Sequence, residues 1–436
     1  MAEGESNHPG PSRGLFSLFL PSEWLLLLVL ATVHFTNIID FMIVMPLGPE
    51  YQSYFGISPE RFGLAVSAYG IAASVSGFLA ARCVDRFDRK TSLLFLFAGF
   101  TLCTFACGFA PTFPLLVLAR TATGAFGGVL GACVLAIVGD IFPEERRGTA
   151  MGILMSAFSV ASIVGVPLGL LLAEWLGWRA PFIVLGVLAM AIYPLVFKAL
   201  PPLRGHLGRA SGEAESNLWT VLTHPAHLRA YALMVSLVIM SFMMFPYLAI
   251  YLVRNVGLDQ RALEYVYALG GLTTLGTLTW VGRLSDRLGK LPVFRTFALL
   301  TGAVILLLTH LPRVPLLVAL TVTTLLFVVS SGRMVPAMAM ITSSTTPRCR
   351  GSFLSVISSV QHLASGLASL LAGCFVGEAA DGSMTGYGTV GIIAAVASVA
   401  SVAWAGQLRP GSAESSASIE AAAADLSVVQ GERLAS

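Results

Sequence analysis

Two charged residues stand inside long apolar runs, where charge is costly: Asp40 in LLLLVLATVHFTNIIDFMIVMP and Arg120 in FPLLVLARTATGAFGGVLG. A carboxylate removed from water is driven toward its neutral form, and a neighbouring guanidinium drives it back toward the charged form. A pair of this kind can take up and release a proton at a defined step, which is relay chemistry inside a membrane rather than bond cleavage. At 1.5 Å per helical residue, Asp40 lies about 9 Å from the end of its run at Met45-Pro46, and Arg120 about 9 Å from Pro114 at the start of its own. Equal depth predicts that the two meet, with Asp40 as proton carrier and Arg120 as the group that tunes it. A static tie between two helices, or an Asp40 wetted by an outer vestibule, would use the same residues.

Other polar residues lie near this level. Asn37 and His34 fall one and two turns below Asp40 on a broadly similar face, and His362 follows Gln361 in a later run. Histidine changes charge between about pH 5 and 8, so His34 is a candidate second proton site, although a hydrogen-bonded structural role fits each histidine as well. Arg333, in Ser331-Gly332-Arg333-Met334-Val335-Pro336, lies about 12 Å from the inner end of its run and has no acid at matching depth. Pairing with backbone carbonyls, attraction of an anionic substrate and snorkelling inward all suit it. The segment Phe242-Met243-Met244-Phe245-Pro246-Tyr247 puts Met243 in register with Asp40 and supplies rings and thioethers that adapt to varied shapes. The expected substrate cavity therefore comprises Asn37, Phe41, Phe242, Met243, Tyr247, His362 and Arg333, with ordinary packing as the alternative reading of its apolar members.

The elements that must hold these residues follow from composition. Of 436 residues, 56% are hydrophobic and 11% charged, and the mean hydropathy is +0.81. So few charges cannot cover a water-facing surface, so most of the chain faces lipid or other helices. Apolar runs long enough to cross a hydrocarbon core of about 30 Å occur near 24–46, 62–81, 91–110, 114–138, 149–173, 180–199, 229–253, 263–282, 292–311, 314–341, 352–376 and 386–406. The first is too long for a signal-peptide core and lacks a small-residue cleavage site, so it is counted as a span. With both termini inside, about 19 of the 26 Lys and Arg lie on the cytoplasmic side, and the opposite orientation would invert that bias. Residues 1–23 form a cytoplasmic N-terminus, 201–228 a polar linker between halves at 24–200 and 229–406, and 407–436 a disordered tail.

Several functions are disfavoured by the same reading. Basic residues are scattered through short loops rather than gathered into a nucleic-acid patch. Cys103 and Cys107 share a helical face but have no histidine or acid beside them, so no metal site or cofactor is expected. No phosphate-cradling Gly-Lys-Ser/Thr loop or nucleophile constellation points to an enzyme.

Two loop markers repeat at one spacing of about 200 residues. Asp85-Arg86-Phe87-Asp88-Arg89-Lys90 returns as Asp286-Arg287-Leu288-Gly289-Lys290, and Pro143-Glu144-Glu145-Arg146-Arg147-Gly148 as Pro347-Arg348-Cys349-Arg350-Gly351. Repetition at fixed offset implies a duplicated six-helix unit. These markers resemble the major facilitator superfamily, and within it the twelve-span drug:proton antiporters, over about 24–406. The first loop is similar to the family's Gly-x-x-x-Asp-Arg-x-Gly-Arg-Lys but carries Ala81 and Asp88 in place of its two glycines; the second copy keeps Gly282 and Gly289. Arg120-Thr121-Ala122-Thr123-Gly124 resembles the family's Arg-x-x-x-Gly segment, and Gly165-Val166-Pro167-Leu168-Gly169 its antiporter signature.

The resemblance implies an all-α membrane protein, with twelve transmembrane helices in two six-helix bundles related by a pseudo-two-fold axis. It implies a cytoplasmic gate at Asp85, Arg89 and Asp140, with Arg350 of the second copy, and a helix bent at Gly165, Pro167 and Gly169 along the contact between halves. It implies a monomeric, proton-coupled exporter of small lipophilic compounds in a bacterial inner membrane. Sugar or amino-acid efflux is the rival cargo, and a receptor on the same scaffold the rival class.

Overall fold

The computed structural model describes residues 19–83, 87–203, 221–345 and 350–408. Helices dominate because backbone groups in hydrocarbon must bond within their own segment. Spans 1 to 6 are Pro21–Ile43, Pro59–Cys83, Arg89–Phe109, Phe113–Ile141, Glu144–Leu176 and Ala180–Ala199. Spans 7 to 12 are Pro225–Val256, Ala262–Leu288, Lys290–Thr309, Leu316–Ser343, Arg350–Phe375 and Tyr387–Gly406. Proline at the first or second helical position starts spans 1, 4, 6 and 7, where a missing N–H costs no helical bond. Most of the expected linker and nearly all of the tail lie outside the described residues.

Among the described residues, eleven helices are long and apolar enough to cross a membrane. The twelfth, span 8, is equally long but rich in hydroxyls. Thr273, Thr274, Thr277 and Thr279 each return their hydroxyl to a carbonyl one turn back, so these side chains need no water.

An even number of spans puts both ends of the described chain on one face, called here the terminal face. On the opposite, distal face one hydrophobic core runs through both halves: Ile43, Met45, Leu47, Tyr51 and Phe62 pack into the same cluster as Met243, Tyr247, Leu248 and Ile250. The short helix Gly48–Phe55 joins spans 1 and 2 here, and a Cβ on Gly48 would come 2.9 Å from Ile250 of the other half. Toward the terminal face the core divides. One cluster belongs to spans of the first half, with Leu30, Phe97, Val134 and Ala189, and a separate one to the second, with Leu237, Phe294, Ile341 and Phe353.

Small residues set how closely helices meet. A Cβ on Gly124 of span 4 would sit 2.3 Å from the carbonyl oxygen of Tyr69, and one on Gly70 would sit 2.8 Å from the backbone nitrogen of Gly366 in the other half. Spans 5 and 8 meet at Gly271, where a Cβ would come 2.7 Å from the Ser162 carbonyl oxygen. Gly282 lies three turns further toward the terminal face on nearly the same side of span 8, and a Cβ there meets nothing within 4 Å. Spans 5 and 8 therefore separate toward the terminal face, and the molecule is sealed distally.

Span 5 bends through a π-helical turn at Ala161–Gly165. Pro167 has no N–H to give the preceding turn, and the wider turn absorbs the mismatch, with the Val166 N–H reaching the Ala161 carbonyl. A Cβ on Gly165 or Gly169 would strike Ile39 or Ile43 of span 1. These two glycines thus admit span 1 within the same half, while Ser162 and Ile163 of the same bent segment meet Gly271 across the halves.

Candidate proton-coupling site

Asp40 and Arg120 meet in the centre of the first half, both 0% exposed. Arg120 Nη1 donates to Asp40 Oδ2 at 2.5 Å and to the Asp40 carbonyl oxygen at 3.2 Å. That carbonyl is available because Asp40 stands in the last turn of span 1, where carbonyls lack an intrahelical partner. Thr104 of span 3 donates to Asp40 Oδ1 at 3.1 Å. The guanidinium also lies 4.6 Å over the ring of Tyr69 from span 2, so four helices converge on one pair. Arg120 Nε has no partner among the described residues.

Tyr69 extends the network. Its hydroxyl donates to Asn37 Oδ1 at 3.0 Å, and Asn37 Nδ2 donates to the Gly127 carbonyl at 3.0 Å. A Cβ on Gly127 would come 2.4 Å from the Tyr69 hydroxyl, so the glycine makes room for the amide and the ring together. Asn37 is thereby a support of the ion pair, buried at 8% exposure. Tyr69 and Thr104 do not stand out in the sequence because neither is charged. Their depth matches that of Asp40, about 10 Å into the run beginning near 62 for Tyr69 and about 9 Å before Ala110 for Thr104, but many other residues share that level.

His34 is not joined to this network by any hydrogen bond among the described residues. Its Nδ1 is buried without a partner and its ring faces Gly131. Phe41, the residue after Asp40, is half-buried and points across the interface. Its ring lies 5.0 Å from Tyr69, 5.6 Å from Phe242 of span 7 and 6.5 Å from His362 of span 11. Met243 and Tyr247 are buried in the distal core instead, and the Tyr247 hydroxyl donates to the Ser369 carbonyl at 3.1 Å. Arg333 is buried between spans 10 and 7.

At the terminal face Arg89 Nε pairs with Asp140 Oδ2 at 3.1 Å, linking the start of span 3 to the end of span 4. Asp88, standing where the family pattern has glycine, caps span 3 by accepting from the Lys90 N–H at 2.9 Å and also accepts from the Leu203 N–H at 3.1 Å. Asp85 lies outside the described residues, as does the side chain of Arg350. Arg146, from the second loop marker, holds Glu23 of span 1 through two nitrogens at 2.9 and 3.3 Å.

At the distal face Arg261 of span 8 pairs with Glu174 of span 5 at 2.5 Å, across the halves. The arginine is 75% exposed, so this pair adds little stability by itself. Glu50 of the short helix lines the same cleft with Glu174, Gln260, Arg261 and Glu264. Burial, and then the negative charge of Glu174, push Glu50 up to about 7.

A family model described as Major Facilitator Superfamily matches residues 30–369 and 231–433. The chain is 26% identical over 338 residues to an uncharacterized MFS-type transporter of Bacillus subtilis (strain 168), covering 77% of this chain and 85% of that one. It is 29% identical over 209 residues to a chloramphenicol resistance protein of Streptomyces lividans, covering 48% of this chain and 53% of that one, so the match spans about half the relative's length. The solved D-xylose-proton symporter superposes with a TM-score of 0.73 at 16% identity over 89% of this chain and 98% of that one, which shows the shared fold.

Removing one member of a buried pair strands the other charge, at a cost of about 3–5 kcal/mol. Arg120→Met and Asp40→Leu should therefore each lower the thermal unfolding midpoint markedly, while the double variant recovers most of the loss; additive losses would contradict a mutually dependent pair. Glu50 titrates the other way from a salt-bridged acid. Its folded-state pKa of about 7 exceeds the ordinary 4.5, so the folded protein binds the extra proton and stability falls as pH rises through that window. Glu50→Gln should unfold at a higher temperature than wild type at pH 8 and at the same temperature at pH 4, and a uniform effect across pH would refute the assignment.

Proposed function

Since the chain belongs to the Major Facilitator Superfamily, we propose that it is a proton-coupled exporter of small lipophilic compounds, working by alternating access with Asp40 as proton carrier. The observation that carries this reading is the sealed Asp40–Arg120 pair. A charge pair at this depth gains no more stability than apolar residues of the same volume would, so its retention points to use.

The chemistry follows from the contacts. A proton arriving on Asp40 neutralises the carboxylate and breaks the charge pairing, while Arg120 keeps the Asp40 carbonyl and the Tyr69 ring. A neutral Asp40 can remain buried, but an unpaired Arg120 cannot do so cheaply, so the proton-loaded pair favours a state in which water or cargo reaches the site. The adjacent Phe41 carries that change to the other half through its contacts with Phe242 and His362. Rings at this contact offer apolar, adaptable surface, which supports a lipophilic cargo. Arg120 tunes the proton affinity, and His34, with its unpartnered Nδ1, is an auxiliary proton site.

The Lys and Arg bias supports a cytoplasmic terminal face in a bacterial plasma membrane, with the protein acting as a single chain. Arg89 and Asp140, with Asp85 and Arg350, form the gate that closes that face when the distal seal opens. The distal pair Arg261–Glu174 is the counterpart that parts in the other state.

In proteoliposomes with an imposed proton gradient, Asp40→Asn should lose most proton-driven flux, by about tenfold or more, while still exchanging cargo for cargo. Undiminished proton-driven flux in Asp40→Asn would remove Asp40 from the mechanism. In everted vesicles, a lipophilic drug such as chloramphenicol should collapse a preset gradient; collapse by sugars or amino acids alone would move the cargo to that class.

A further inference from the structure

Arg333 is the one fully buried cation that the reading above leaves unused among the described residues. It is 1% exposed in span 10, and no carboxylate lies within ion-pair distance of it among the described residues. Its Nη2 donates to the Leu237 carbonyl and to Ser241 Oγ of span 7, each at 3.0 Å. Nε and Nη1 are buried with no hydrogen-bond partner, which leaves three of five guanidinium N–H groups unmatched.

The contrast with Arg120 is informative. Both arginines stand in the fourth helix of their own half and both reach the first helix of that half. Arg120 finds a carboxylate there, while Arg333, deeper in its span, finds only the neutral oxygens of Leu237 and Ser241. A cation kept in hydrocarbon without its counter-ion marks a place where an anion arrives from outside the chain. The neighbours show the direction of arrival. Phe242 follows Ser241 and touches Phe41 of the other half at 5.6 Å, and Phe242 and Met334 are both only partly buried, so the guanidinium lies one residue behind the contact between halves.

We propose that Arg333 binds the carboxylate of a lipophilic cargo that enters beside Phe242 from the space between the halves. The inference rests on the export reading for the existence of a cargo path, and adds to it that the cargo carries one negative charge. Its site is then joined to Asp40 through two rings: anion at Arg333, Phe242 against Phe41, and Phe41 next to the proton carrier.

The test uses the purified full chain in detergent with a matched pair of probes, 1-naphthylacetate and its neutral amide, in chloride and in methanesulfonate buffer. Wild type should bind the acid about tenfold or more tightly than the amide. Arg333→Gln should erase that preference while keeping amide binding, and Arg333→Lys should retain part of it. Equal binding of acid and amide by wild type, no binding of the acid, or a preference that survives in Arg333→Gln would overturn the proposal. So would stabilisation by chloride that the acid does not compete away, which would assign the site to an inorganic ion. A second reading needs no ligand: Arg333→Met should raise the unfolding temperature of the unliganded protein, because it removes an uncompensated buried charge. A lowered temperature would mean that Arg333 is a tie between spans 10 and 7. No proton gradient is present in these measurements, so their outcome is separate from the role of Asp40 in coupling.

Discussion

A carboxylate and a guanidinium shut away from water set the terms for the first half of this molecule. Taking both charges out of water costs several kcal/mol each, and only close geometry with further hydrogen bonds offsets it. That geometry draws on four helices: Asp40 from span 1, Thr104 from span 3, Arg120 from span 4 and Tyr69 from span 2. Asn37 and the gap at Gly127 then fix the Tyr69 ring. The pair anchors the bundle, and under the proposed function a proton on Asp40 would loosen that anchor.

The surrounding packing is asymmetric between the two faces. One apolar core is shared by both halves on the distal side, and separate cores serve each half on the terminal side. Close backbone contacts join the halves at Gly70 with Gly366 and at Gly271 with Ser162, and the side chains of Ile71 and Ser365 pack into the first of them. Glu50, Glu174, Glu264 and Arg261 line one cleft on the sealed face, where burial and then the charge of Glu174 favour the protonated form of Glu50.

Much of this was legible in the sequence, for physical reasons. Long apolar runs must be helices in lipid, and helical rise converts position into depth, so the meeting of Asp40 and Arg120 could be read from two counts. Span starts were legible to a few residues because proline sits at several of them. Other features gave no such signal. Tyr69 and Thr104 are uncharged, and depth alone does not single them out among dozens of residues at that level. The segment of Gly165, Pro167 and Gly169 was expected to bend along the contact between halves; it packs against span 8 there, and the two glycines also receive Ile39 and Ile43 of their own half, a partner that glycine spacing does not name.

If Asp40 carries the coupled proton, it gives that proton up when cargo binds. Proton release can be followed in weakly buffered detergent solution as a cargo identified by gradient collapse is added to the purified protein. About one proton should leave each wild-type molecule and none should leave Asp40→Asn. Equal release from both proteins, at matched cargo occupancy, would show that the proton comes from elsewhere.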